Sequence, residues 1–191
     1  MNKFIIGLDV DGVIADFVGK VLYYQNSIFK TNFKHSDITS YHIESIIGAS
    51  NLETILKVME TNQDCKYFDL IPGALELVSF LKQLGKVVFV TAPCTRYRAW
   101  ADDRLFWLNK HFSAKRHDVI SISDKTLFIG NILIDDSSAN INSWLSTNRT
   151  AIKVSQPWNQ EPKSPFVKCV DNLSEIPDII MDVKYSGGYF I

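Results

Sequence analysis

Asp9-Val10-Asp11-Gly12 places two carboxylates directly after a short apolar run, Phe4 to Val10. If that run is a strand of an open α/β sheet, the acids sit at the crevice beyond the strand ends, where such sheets bind ligands. Buried, unpaired carboxylates are costly, and a divalent cation that takes hard oxygen ligands, such as Mg2+, relieves the cost. Gly12 lets the backbone turn sharply beside a ligand. The same four residues also suit a plain turn that ends a strand. A second acidic end, Ile132-Leu133-Ile134-Asp135-Asp136, tips the balance towards the cation. In a parallel sheet both acidic ends share one edge, so Asp9, Asp11 and Asp135/Asp136 could converge on one ion. Capping a following helix from Asp136-Ser137 would need one acid, not two. Val90-Thr91-Ala92-Pro93 ends another apolar run on a hydroxyl. That oxygen and the next backbone N–H could hold a phosphate oxygen. Lys125, in Ser123-Asp124-Lys125-Thr126, offers a charge to compensate a dianion, although a single Lys is by default a solvated surface residue.

The elements that must position these residues are legible in outline. Phe4–Val10, Lys86–Thr91 and Asn131–Ile134 are apolar runs too short for helices and without alternation, as strands covered on both faces read. Ala151–Val154 and Asp118–Ile120 are weaker runs of the same kind. Between them lie helical patterns. In 73–84, Ala74, Leu77, Leu81 and Leu84 recur at helical spacing, with Gly85 where a left-handed C-cap belongs. In 96–112, Ala101, Leu105, Leu108 and Phe112 share a face, and in 137–146, Ile141, Trp144 and Leu145 do. Strands alternating with helices predict an α/β fold, a Rossmann-like parallel sheet flanked by helices.

Residues 16–71 break the alternation. Ser50-Asn51-Leu52-Glu53 reads as a capping box ahead of an apolar stripe, Leu52, Ile55, Leu56 and Met59. The stretch 17–47 reads as helical in pieces. We expect a small helical cap, 16–71, inserted after the first strand, with 1–15 and 72–191 forming the core domain. Asp171 to Met181 holds a short helix, and Ser186-Gly187-Gly188 loosens the tail.

The chain has 191 residues, 46% of them hydrophobic and 21% charged, enough for one cored domain with a modest insertion. Twenty Lys and Arg against 21 Asp and Glu leave a formal charge of −1, so no global field draws it to nucleic acid or an anionic membrane. No apolar run approaches a membrane span. The start resembles a signal peptide, but its apolar stretch stops at Asp9. Cys65, Cys94 and Cys169 are odd in number and widely spaced, which fits a reducing, cytoplasmic setting. His35, His42, His111 and His117 form no metal-binding spacing and read as surface or packing residues.

Taken in order, Asp9 and Asp11, Thr91, Lys125 and Asp135-Asp136 resemble the catalytic motifs of the haloacid dehalogenase superfamily of phosphohydrolases. Asp9 through Phe17, Ile71-Pro72-Gly73-Ala74, Thr91-Ala92-Pro93 with Tyr97, Asp103-Arg104 and Trp107, and Asp124 through Asp136 are most similar to the 5′(3′)-deoxyribonucleotidases. The resemblance implies a Mg2+-dependent phosphatase of (deoxy)ribonucleoside monophosphates that works through an aspartyl-phosphate. It makes Asp9 the nucleophile and Asp11 the general acid and base. It assigns the metal to the Asp9 carboxylate, the Asp11 backbone carbonyl and Asp136, with Asp135 a second choice acting through water. Thr91, the Ala92 N–H and Lys125 become phosphoryl ligands. Dehalogenases lack the second acid, so Asp11 favours ester hydrolysis.

Phe17 matches the aromatic that lines the base and sugar pocket in that family, although for this residue taken alone plain packing between cap and core is the favoured use. Tyr67 or Phe68 offers a second wall. Ala92 stands where the family often has Ser, and Ser123 where animal members commonly carry Arg, which leaves nucleotide preference and 5′ against 3′ esters open. The implied partner is a small nucleotide, with no nucleic acid polymer and no membrane, and a homodimer is compatible. Competing readings are a phosphatase of another small monoester such as a sugar phosphate, a catalytically silent binding protein of the same fold, and a phosphatase of nucleic-acid ends.

Overall fold

The computed structural model describes residues 4–160 and 167–185; the Gly-rich stretch at 186–188 lies outside the described residues. Its centre is a six-stranded, all-parallel sheet. The strands are β1 (Ile5–Leu8), β2 (Lys86–Thr91), β3 (Val119–Ser121), β4 (Ile132–Asp135), β5 (Thr150–Val154) and β6 (Lys168–Val170), in spatial order β3-β2-β1-β4-β5-β6. The chain moves outward from β1 on one side, then restarts on the other with β4. The order therefore reverses at β1, and ligands of open α/β sheets bind beyond such a point.

Each central strand feeds two cores. Val87 and Phe89 of β2, with Ile132 and Ile134 of β4, enter the larger core, while Val88, Val90 and Leu133 enter the smaller one. Both faces are covered, which is why these strands read as unbroken apolar runs.

The helices are α1 (Phe17–Phe29), α2 (Glu44–Ile47), α3 (Ala49–Asn62), α4 (Ala74–Leu84), α5 (Trp100–Phe112), α6 (Ser138–Leu145) and α7 (Ile176–Tyr185). Helix α4 buries Ala74, Leu77, Val78 and Leu81, and α6 buries Ile141 and Trp144. The segment between β1 and α4 contains α1, α2 and α3 and no strand of the sheet. Where it leaves and returns, its ends are tied. Asp16 N–H donates to Asp69 O at 2.9 Å and Ile71 N–H to Ile14 O at 3.0 Å.

Several local expectations are corrected. Helix α3 starts at Ala49 with Gly48 as N-cap and no side-chain cap, so Ser50 lies inside the helix and the expected capping box does not form. The Leu52 amide is already held by Gly48 O at 3.1 Å, which leaves the Ser50 side chain nothing to cap. Gly85 is extended, not left-handed. Its missing Cβ is still needed, because a Cβ there would run into the Phe4 carbonyl, the acceptor of the Lys86 amide at 2.8 Å. Helix α5 begins at Trp100, not 96, and Ala101 is exposed. Its buried face carries Trp100, Asp103, Arg104, Trp107, Leu108 and Phe112. Helix α6 is capped by the Ser137 side chain rather than by Asp136. The last helix runs later than expected, and β6 had no counterpart in the sequence reading.

Candidate active site

The β1–β4 pairing continues one residue past β1, where Asp9 N–H donates to Ile134 O at 2.9 Å. This register sets Asp9 beside the acidic end of β4. Carboxylate oxygens of Asp9, Asp135 and Asp136 all lie within 4.8 Å of one another, and all three residues are buried. Between them stands Lys125, on a 3-10 turn, Lys125–Leu127, capped by the Asp124 side chain. Its Nζ is 2.8 Å from Asp9 Oδ1 and 2.7 Å from Asp135 Oδ2.

One ammonium does not balance three carboxylates. Burial raises the pKa of Asp9, and the Asp135 charge raises it further against the pull of Lys125. Burial and Asp135 push Asp136 up to about 8. Burial alone would lower the Lys125 ammonium, but Asp9 and Asp135 hold it above its ordinary value.

An all-oxygen, buried and over-negative donor set suits a hard divalent cation such as Mg2+. The Asp135 carboxylate is already engaged by Ser137 N–H at 2.8 Å, Asn140 Nδ2 at 3.1 and 3.2 Å, and Lys125. Asp9 and Asp136 are therefore the freer donors.

Asp11 stands apart from this group. Its Oδ1 meets Arg104 Nη2 at 2.5 Å, and its carboxylate is not gathered with those of Asp9, Asp135 and Asp136; the metal assignment for this residue is to its backbone carbonyl. Burial raises the Asp11 pKa despite the Arg104 charge. Arg104, 1% exposed, is packed among the rings of Phe68, Trp100 and Trp107, at 5.0, 4.8 and 5.7 Å. Gly12 has φ +77°, and a Cβ there would strike the Asp136 carboxylate, so the turn after Asp11 and the end of β4 close on each other because this residue has no side chain.

Thr91 ends β2, two residues beyond the Leu8–Phe89 pair. Its Oγ1 is buried with no hydrogen-bond partner among the described residues. A hydroxyl in that state costs about 1–3 kcal/mol unless a ligand oxygen accepts from it.

Asp9, Asp11, Asp136 and Lys125 face a cavity of about 420 Å³, and Ala92 lines it too. Phe17 is one wall, as the sequence suggested, and Tyr41, Trp100 and Trp158 add aromatic surface. Tyr67 and Phe68 do not line it. Phe68 is buried behind Phe17 and Trp100, with ring centroids 6.0 and 5.9 Å away, and Tyr67 is largely exposed.

The sequence reading gave no role to Arg104, Asn140, Tyr41 or Trp158. Arg104 had a signal: a cation flanked by Trp100 and Trp107, four residues before and three after, shares their helix face.

Comparison with known proteins bears on the family and the fold. The model of the family "5' nucleotidase, deoxy (Pyrimidine), cytosolic type C protein" matches residues 3–185. The chain belongs to this nucleotidase family. Its members are named for phosphoric monoester hydrolysis. A mitochondrial 5'(3')-deoxyribonucleotidase of Mus musculus is 26% identical over 141 residues, covering 68% of this chain and 62% of that protein. The chain thus spans less than two thirds of that relative. A 5'(3')-deoxyribonucleotidase of Bacillus subtilis (strain 168) is 24% identical over 143 residues, 74% of this chain and 81% of that one. Among solved structures, a haloacid dehalogenase-like protein of Agrobacterium tumefaciens str. C58 superposes with a TM-score of 0.66 at 12% identity, covering 95% of this chain and 99% of that chain. That likeness bears on the fold, which is haloacid dehalogenase-like. In this chain the acidic cluster and Thr91 lie at the carboxyl ends of the neighbouring strands β4, β1 and β2.

Proposed function

We propose that this protein is a Mg2+-dependent phosphatase of (deoxy)ribonucleoside monophosphates that works through an aspartyl-phosphate on Asp9. One observation carries the reading. Asp9 is held by Lys125 beside Asp136, at the floor of an aromatic-walled cavity that also receives Asp11. A volume of about 420 Å³ falls in the range of small-molecule sites, and Phe17, Tyr41, Trp100 and Trp158 offer faces on which a nucleobase can stack.

In this mechanism an Asp9 oxygen attacks phosphorus as the ester P–O bond breaks. Asp11 gives its proton to the leaving sugar oxygen, then takes one from the water that attacks the aspartyl-phosphate. That second step frees inorganic phosphate and restores Asp9. Lys125, the Thr91 hydroxyl and the Ala92 N–H hold the phosphoryl oxygens. Asp9, Asp136 and the Asp11 carbonyl, with Asp135 behind them, would hold Mg2+, which supplies the charge that lets an anionic carboxylate approach an anionic ester. Arg104 fixes the Asp11 carboxylate, and residues 16–71 act as the cap that selects the substrate.

The reading extends to a cytoplasmic enzyme acting on free nucleotides. The formal charge of −1 offers no track for a polyanion. No helix among the described residues is long and apolar enough to cross a membrane.

Phosphate release across nucleoside 5′- and 3′-monophosphates and sugar phosphates, with Mg2+ or with EDTA, tests the proposal. Nucleotides should be hydrolysed with Mg2+, and neither the EDTA sample nor Asp9→Asn should release phosphate. Faster release from sugar phosphates overturns the substrate class, and no release from any ester overturns the enzyme.

A further inference from the structure

The turn after β5, Gln156-Pro157-Trp158-Asn159, reaches both acidic loops at once. The Trp158 indole N–H donates to Asp136 Oδ2 at 2.7 Å. Asn159 Nδ2 donates to the Asp136 backbone carbonyl at 2.6 Å and to Val154 O at 2.9 Å. Gln156 Nε2 donates to Gly12 O at 2.7 Å, in the turn that follows Asp11.

The turn is itself braced. Asn159 Oδ1 accepts from Gln156 N–H at 2.9 Å, and the Lys153 ammonium donates to Asn159 O at 2.9 Å. Pro157 opens it, where a missing N–H costs nothing. On its other side the Trp158 ring lies 5.3 Å from the His35 ring, and His35 is 3.5 Å from Asp16 at the start of α1.

We propose that Trp158 is a positioning residue for Asp136. Its indole N–H fixes one carboxylate oxygen and leaves the other for a divalent cation, while its ring walls the cavity. A donor to an ionised carboxylate at this distance belongs to the strong, directional class. Buried among like charges, an untethered Asp136 would turn away from Asp9 and Asp135, and the tether opposes that turn. Partners that orient a metal ligand in this way typically set about 10- to 100-fold in metal affinity.

The inference rests on the Mg2+-dependent reading of this site. The test is Mg2+ binding by calorimetry to the full-length protein, beside Trp158→Phe, which keeps a ring and loses the N–H. Weaker Mg2+ binding by about 10-fold or more is expected, with kcat at fixed Mg2+ reduced and nucleotide KM within about twofold, because the ring wall persists. Equal Mg2+ affinity in the two proteins overturns the positioning role and leaves the phosphatase reading standing. Absence of Mg2+ binding by the unsubstituted protein overturns both. Should the variant fail to fold, the unsubstituted protein decides. The other indoles donate to Phe68 O and Thr150 O or, for Trp100, find no partner among the described residues. With 15N-labelled indoles, a solvent-protected N–H signal that shifts on adding Mg2+ supports the tether, and no protected signal that shifts overturns it.

Discussion

Arg104 reaches Asp11 from inside an aromatic enclosure: Nη2 is 2.5 Å from Asp11 Oδ1, while the guanidinium carbon lies 4.8 Å from the centre of the Trp100 ring. The enclosure fixes the cation, and the cation fixes the acid. Nε and Nη1 of Arg104 have no partner among the described residues, so the residue is not placed there for hydrogen bonding in general. Arg104→Met keeps the apolar packing and removes the charge. We expect kcat to fall by about 10-fold or more, with the roughly 10²–10⁴ that a general acid contributes as the ceiling, and nucleotide KM to change little. Steady-state kinetics check it, and an unchanged kcat would show that Asp11 needs no such anchor.

The acidic cluster was legible because β1 and β4 are buried on both faces. Such strands read as bare apolar runs, and a carboxylate at their ends stands out. Arg104 was not legible for the opposite reason. The buried face of α5 includes Asp103 and Arg104, so apolar spacing through Ala101 and Leu105 selected a face one position away. Trp158 gave no periodic signal, because its role comes from a turn whose bonds reach Gly12 and Asp136, 144 and 22 residues away in sequence from the donors Gln156 and Trp158. Strand β6, three residues at the sheet edge, is too short for any pattern, and the Gly48 start of α3 uses no side chain at all.

Function and stability should oppose each other at Asp136. It is buried next to Asp9 and Asp135, and Lys125 compensates the group only in part. Burial and Asp135 push Asp136 up to about 8, and Asp136→Asn removes the cost of holding an ionisable group in that desolvated, negative site. The variant should melt higher than the unsubstituted protein in EDTA, and it should lose activity. With Mg2+ at about 100 times its dissociation constant, the unsubstituted protein should gain about 2.7 kcal/mol, or roughly 5–10 °C in Tm, and the variant almost none. Scanning calorimetry with and without Mg2+ reads both effects.

Asp16 joins the start of α1 to the cavity. Its Oδ1 accepts from Gly19 N–H at 2.7 Å, and Phe17, the cavity wall, is the first residue of that helix. Asp16→Ala should cost about 1 kcal/mol in urea unfolding at pH 7, as lost N-caps do, and should raise nucleotide KM through a frayed Phe17. Burial would raise the Asp16 pKa, but the His35 and Gly19 hydrogen bonds outweigh it and hold the carboxyl below 3.8. A depressed folded pKa means the contribution is complete above the unfolded value and is lost as pH falls through the folded one. The stability gap between the two proteins should therefore shrink as pH falls below 3.8.

Lys125 depends on a cation outside the cavity. Arg149 lies 3.6 Å over the Trp144 ring and donates to Thr126 O at 2.7 Å and Phe128 O at 2.6 Å, the carbonyls on either side of the segment that follows Lys125. Its Nε also donates to Thr147 Oγ1 at 2.6 Å, so each of its three nitrogens has a partner, on two separate segments. Arg149→Met keeps cover over Trp144 and drops the hydrogen bonds, each worth about 1.5–3 kcal/mol when the donor is charged. The loop is partly solvated, so water recovers some of that, and a loss of about 1–2 kcal/mol in global stability is expected. With the Lys125 turn loosened, inorganic phosphate should bind more weakly as a product inhibitor, by several-fold. Mg2+ affinity should hold, because Asp9 and Asp136 are not contacted by Arg149. A variant that binds phosphate normally would show that the Asp9 and Asp135 carboxylates alone keep Lys125 in place.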